Sequence, residues 1–138
     1  MLSQMQARLR TNSPFAILVP MFSHQVLDHF QNPRNAGELH NATVTIEVTN
    51  PVCGDVLRLF VITENGRITQ AQFLCKGCTT AIACSSLLTE ELKGKSKEDV
   101  LTITAEFLST TLGNLSPATY HGAQLVADAA KQLSVQLK

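Results

Sequence analysis

The sequence predicts an α+β domain: a three-stranded antiparallel meander with helices packed on one face, an N-terminal helix before it and further helices after it. Three observations carry this expectation. Val44, Ile46 and Val48 alternate with Thr43, Thr45, Glu47 and Thr49, the pattern of a half-buried strand. Asn65-Gly66 is a strong signal for a type I′ hairpin turn. After Gly77 the apolar period changes from two to about 3.6 residues, the change from strand to helix.

The elements follow in order. Phe22, Val26, Leu27 and Phe30 fall at helical spacing, and Asn32-Pro33-Arg34-Asn35 is a turn that stops this first helix. The first strand runs to Thr49, and a turn at Asn50-Pro51 leads into Val52-Cys53-Gly54-Asp55. Val56 to Thr63 forms the second strand and Ile68 to Cys75 the third. Ala81, Cys84, Leu88 and Leu92 then line one face of a helix that ends near Gly94. Ser96 with Asp99 makes a capping-box-like start for the next helix, which Gly113 closes. Ser116-Pro117 is a cap and first turn for a last helix, whose apolar stripe is Leu125, Ala129, Leu133 and Leu137.

At 138 residues the chain is one domain's length, since domains commonly run to about 100–150 residues. Its 44% hydrophobic and 16% charged residues specify a globular segment. Eleven basic and eleven acidic side chains cancel, which argues against a phosphate-backbone partner. Seven aromatics, none of them Trp, also make a base-stacking surface a poor fit, so no nucleic-acid partner is expected. No apolar run approaches the roughly 20 residues that span a bilayer, so no membrane partner is expected and the location is read as cytoplasmic. Residues 1–20 stand apart. They hold Arg8 and Arg10, no acidic residue and a short apolar patch from Phe15 to Val19. They are read as an N-terminal extension or a mis-assigned start ahead of Met21, leaving 21–138 as the domain.

Four cysteines, Cys53, Cys75, Cys78 and Cys84, carry the chemistry. No secretory signal supports an oxidising compartment, and three of the four cluster within ten residues, so they are read as reduced thiols. Cys53 and Asp55 lie in the turn between the first two strands, with Gly54 between them. Cys78 follows Gly77 where the third strand passes into a helix, and a helix N-terminus favours the thiolate. Alternate strands of a meander run in the same direction, so the turn before the second strand and the end of the third share one edge. Cys53, Asp55 and Cys78 therefore converge. His121, four residues before Leu125 on the inward face of the last helix, joins them if that helix packs beside the Cys78 helix. Two thiolates, an imidazole and a carboxylate suffice for a tetrahedral zinc site, and thiolates with an imidazole also suit iron–sulfur clusters. Cys84 shares its helix face with Ala81, Leu88 and Leu92 and is read as core. His24, His29 and His40 are read as surface or packing groups. A thiol enzyme using Cys78 as nucleophile and His121 as base finds no oxyanion site or substrate pocket in the sequence, so that reading is set aside.

From Met21 to Lys138 the chain resembles the IscU/NifU-type iron–sulfur cluster assembly scaffolds. Asp28 to Gly37 is similar to that family's opening "DHYxNPRNxG" segment, and Asn50 to Asp55 matches "xPxCGD". Gly77-Cys78 through Ala81-Ile82-Ala83, Ser85-Ser86, Thr89-Glu90 and Lys93 to Ser96 follow "GCxxAIAxSSxxTExxKGKS". Tyr120-His121, Leu125 and Asp128-Ala129 stand where the family carries "HCSxLAxDA".

The resemblance implies a scaffold on which a cysteine desulfurase delivers sulfur as a persulfide, iron joins, and a [2Fe-2S] cluster forms and passes to an apo-protein. Cys53, Cys78 and His121 would be ligands. Asp55 would be an adjacent carboxylate that keeps the cluster labile, since a hard oxygen is a weaker partner for iron–sulfide than thiolate. Zn2+ can occupy the same ligands in the family. Two departures matter. The family's third cysteine falls at position 122, which here is Gly122. Cys75, in a Cys-x-x-Cys arrangement with Cys78, either replaces that ligand or packs inward with Ala71 and Phe73. Leu115 to Thr119 stands in place of "LPPVK", which argues against a dedicated Hsp70-type chaperone partner. The alternative function is a divergent zinc-binding paralogue acting as an interaction or regulatory module without cluster assembly.

Overall fold

The computed structural model describes residues 22–138; the N-terminal extension expected over residues 1–20 lies outside the described residues. The described elements are α1 (His24–Gln31), β1 (Val44–Thr49), β2 (Val56–Glu64), β3 (Arg67–Lys76), α2 (Thr79–Leu92), α3 (Lys97–Val100), α4 (Ala105–Thr111) and α5 (Tyr120–Gln136). The strands form one antiparallel sheet in the order β1-β2-β3, the expected meander. Asn65 and Gly66 both take positive φ, 53° and 76°, as a type I′ turn requires.

Alternation decides which face is buried. Ile46 and Val48 on β1, Leu57, Leu59 and Val61 on β2, and Ala71 and Phe73 on β3 face the core beneath the helices. On β3 the buried residues Ile68 and Ala71 are three apart, which strict alternation forbids. The register shifts there: Ile62 pairs with Gln70 and Thr63 with Ile68, so Thr69 is an extra residue that resets the parity. The shift lies far from Lys76-Gly77, so Cys75 keeps the parity of Ala71 and Phe73.

α2 packs between β3, α5 and α1. Every residue from Thr80 to Thr89 except Ile82 is buried, as expected of a helix covered on several sides. The buried hydroxyls of Ser85, Ser86 and Thr89 are satisfied. Ser85 Oγ donates to the Ala81 carbonyl at 2.8 Å. Ser86 Oγ lies 2.8 Å from His29 Nδ1 and accepts the Arg34 N–H at 2.9 Å. Thr89 Oγ1 accepts from Asn35 Nδ2 at 3.1 Å. These bonds fix the Asn32–Asn35 turn to α2, whose N-terminus carries Cys78.

Two boundaries differ from the sequence expectation. The single helix expected from Ser96 to Gly113 is two helices, α3 and α4. The Ser96–Asp99 capping box forms as expected, but Thr102-Ile103-Thr104 then interrupts. Three β-branched residues in succession are stiff at χ1, and hydroxyls compete with the backbone ladder. Thr102 Oγ1 donates to the Asp99 carbonyl at 2.6 Å, Thr104 Oγ1 accepts the Phe107 N–H at 3.1 Å, and Ile103 turns into the core. The last helix starts at Tyr120 rather than at Ser116-Pro117. The Thr119 N–H bonds the Ser116 carbonyl and their hydroxyls lie 3.1 Å apart, closing a separate turn ahead of the helix.

Candidate metal centre

The loop from Asn50 to Gly54 is built from its own sequence. Asn50 Oδ1 accepts the Val52 N–H at 2.9 Å, its carbonyl accepts the Gly54 N–H at 2.8 Å, and its N–H donates to the Asp55 carbonyl at 2.8 Å. The sequence pattern marks Asn50 only as a turn residue, yet it organises the loop; an Asn two residues ahead of a free amide is the signal for such an Asx turn. Gly54, at φ 77°, turns the chain back into β2. Cys53 is left exposed at the tip and Asp55 half-buried at its base.

Across the same edge Cys78 is the N-cap of α2, its Sγ accepting the Ala81 N–H at 3.4 Å. Its own N–H donates to Asp55 Oδ2 at 3.5 Å. α5 packs beside α2 and brings in His121 from its first turn, with Nε2 3.6 Å from Cys78 Sγ. One ligand atom each from Cys53, Asp55 and His121 lie within 4.8 Å of one another. Bonds of about 2.0–2.3 Å place neighbouring tetrahedral donors roughly 3.3–3.8 Å apart, so the Cys78–His121 pair already has the separation of two ligands on one ion. A shallow cleft lined by Thr49, Asn50, Pro51, His121, Gln124 and Asp128 opens beside the imidazole.

The structure therefore groups Cys53, Asp55 and His121, and Cys78 adjoins that group through His121 and Asp55 without itself lying within 4.8 Å of all three. Cys75 is not among these contacts: it pairs across the sheet with Leu57, faces inward and packs half-buried against the core. Cys84 is fully buried, and all four cysteines are free thiols.

The thiol chemistry of Cys78 corrects one expectation. The helix N-terminus was expected to lower its pKa, but partial burial pushes it above the ordinary 9.0, and the Asp55 carboxylate adds repulsion, against the lowering effect of the Ala81 N–H. Burial also raises Cys75 to about 11 and Cys84 to about 12. These raised values predict alkaline lability. Below the unfolded thiol's 9.0 both states are protonated and stability is fully present. As pH rises through 9.0 towards about 12, the unfolded thiols ionise first and stability is lost. Urea denaturation of the metal-free protein on either side of pH 9.0 should show this fall. Cys84→Ala should flatten it; an equally steep fall in that variant would show that other groups control it.

The NifU-like N terminal domain matches residues 21–136. Over 115 residues the chain is 42% identical to the iron-sulfur cluster assembly scaffold protein IscU 1 of Archaeoglobus fulgidus, covering 83% of this chain and 75% of that protein. It is 40% identical over 114 residues to the iron-sulfur cluster assembly scaffold protein IscU of Haemophilus influenzae, covering 80% and 90%. Among solved structures it resembles a putative iron-sulfur cluster assembly scaffold protein for the SUF system from Fervidobacterium islandicum, with TM-score 0.57 and 22% identity over 81% of this chain and 83% of that one, a likeness of fold. With the meander, the helix order and the matched span in agreement, the chain belongs to the NifU-like N-terminal domain family.

Proposed function

We propose that this protein is an iron–sulfur cluster assembly scaffold. Residues 21–138 are its scaffold domain. Iron and sulfide are its cargo, held at Cys53, Asp55, Cys78 and His121 and passed as a [2Fe-2S] cluster to acceptor apo-proteins. The convergence of two thiols, an imidazole and a carboxylate on one exposed sheet edge carries this reading. Thiolates and imidazole suit iron–sulfide, and the oxygen of Asp55 binds it more weakly, which favours release. Zn2+ fits the same donors. A cysteine desulfurase supplies the sulfur, and the location is cytoplasmic. The cluster leaves with the acceptor, so the role is that of a carrier and not of an enzyme, although a relative from Drosophila melanogaster is named an iron-sulfur cluster assembly enzyme IscU.

Gly122 favours a second reading, a zinc-binding paralogue that docks partners without building clusters. Anaerobic reconstitution of the thiol-reduced protein with iron(III) and sulfide, two of each per cluster, separates the two. A scaffold gains visible charge-transfer absorption with stoichiometric iron and sulfide, then loses it to an apo-ferredoxin. Protein that takes up only zinc and never transfers a cluster supports the paralogue and sinks the scaffold. Cys75→Ala in the same series decides whether that thiol belongs to the ligand set.

A further inference from the structure

Five of the seven glycines, Gly37, Gly54, Gly66, Gly94 and Gly113, sit at positive φ, where a side chain is strained. The two that do not are Gly77 and Gly122, and both abut the metal centre. Backbone conformation gives neither a reason to be glycine. Gly122 also sits in the first turn of α5, where Ala would favour the helix more. Space supplies the reason. A Cβ on Gly77 would lie 2.9 Å from Asp55 Cγ and 3.0 Å from Oδ2. A Cβ on Gly122 would lie 2.9 Å from the Ala81 backbone nitrogen and 3.0 Å from Thr80 Cγ2. Real Cβ atoms do not approach that closely, so something must move in each case.

What moves differs. Against Gly77 the obstacle is a side chain, and the Asp55 carboxylate can swing aside. Against Gly122 it is the first turn of α2, the turn that Cys78 caps. His121 is the residue next to Gly122, so the distance between the two helix starts sets the distance between His121 Nε2 and Cys78 Sγ. Thr80 is buried at this contact, with its hydroxyl lacking a partner among the described residues. Such an orphaned group is unfavourable, and it marks how closely the two turns meet.

We infer that Gly77 and Gly122 are positioning residues that fix the span of the metal centre, Gly77 by seating the Asp55 carboxylate and Gly122 by closing His121 onto Cys78. The inference rests on the proposed metal site and adds what sets its size. It also gives position 122 a role of its own: in this chain it is the contact surface between α5 and α2.

The test uses the full chain, with zinc affinity read by chelator competition and cobalt(II) d–d absorption as a report on geometry. Gly77→Ala should weaken zinc binding by about tenfold or more, the cost typical of a lost supporting contact, while the metal-free protein melts close to wild type. In an Asp55→Ala background, Gly77→Ala should weaken it no further. Gly122→Ala should weaken binding and shift the cobalt spectrum, with no further loss of affinity in a His121→Ala background, and Gly122→Cys should bind more weakly than wild type. Wild-type affinity and spectra in both alanine variants overturn the inference, as do equal losses in the Asp55→Ala and His121→Ala backgrounds or tighter binding by Gly122→Cys. If Gly122→Ala fails to fold, the Gly77 cycle decides alone. Wild-type protein that binds neither zinc nor cobalt removes the metal site itself, whereas a binding wild type with insensitive glycines removes only this inference.

Discussion

Cys78→Ala should reduce zinc affinity by roughly a hundredfold or more and abolish the visible absorption of a reconstituted cluster, since a direct ligand matters at least as much as the contacts that support one. Cys78 Sγ lies 3.6 Å from His121 Nε2, and its N–H also meets Asp55 at 3.5 Å. Losing it leaves the imidazole and the carboxylate with only the exposed Cys53 thiol as a sulfur partner. The fold should survive, because the Cys78 side chain is only partly buried against the core and its cap bond from Ala81 is long, at 3.4 Å, a lost cap costing about 1 kcal/mol. Cys84→Ala is the control: that thiol is fully buried in the core, and its removal should leave affinity intact. Chelator competition with thermal melts of each metal-free variant separates the two outcomes. Cys78→Ala that binds zinc as wild type would place the centre elsewhere.

Leu88→Ala should give the largest loss of stability. Leu88 is fully buried in the middle of α2, which packs against β3, α1 and α5. Truncation removes burial and leaves a cavity that packed helices collapse into only partly, a cost of about 3 kcal/mol. The melting temperature should fall on the order of 10 °C. Val135→Ala, at a site 76% exposed, should change stability by less than about 0.5 kcal/mol. Denaturant titration of both variants provides the comparison, and similar losses at the two positions would mean that α2 does not anchor the core. Because α2 also carries Cys78, a loosened Leu88 variant should bind zinc more weakly at temperatures near its own transition while retaining affinity well below it.

How much of this was legible in the sequence depends on the range of the interaction. Strand alternation, the Asn65-Gly66 turn and the Ser96–Asp99 capping box are contacts within a few residues, and each appears where the pattern placed it. The helix break at Thr102–Thr104 is also local, but the hydroxyls compete with a helical pattern that spans it, and pattern alone does not rank the two. The parity that turns Cys75 inward was legible for the same reason: the bulge at Thr69 lies upstream and leaves the last residues of β3 in step.

The sequence by itself determined which side chains carry donor atoms and which edge of the meander they share, because a strand's direction and a turn's position are set by neighbours along the chain. Only the tertiary structure decided the rest. His121 reaches Cys78 across 43 residues because α5 and α2 pack together, and that approach is settled by core residues remote from either donor. Burial likewise reverses the expected shift of the Cys78 thiol, since desolvation depends on everything that surrounds a group and the helix-end effect only on its own turn. Gly77 and Gly122 show the same division: as letters they are two small residues, and their role exists only where another segment is pressed against the missing side chain.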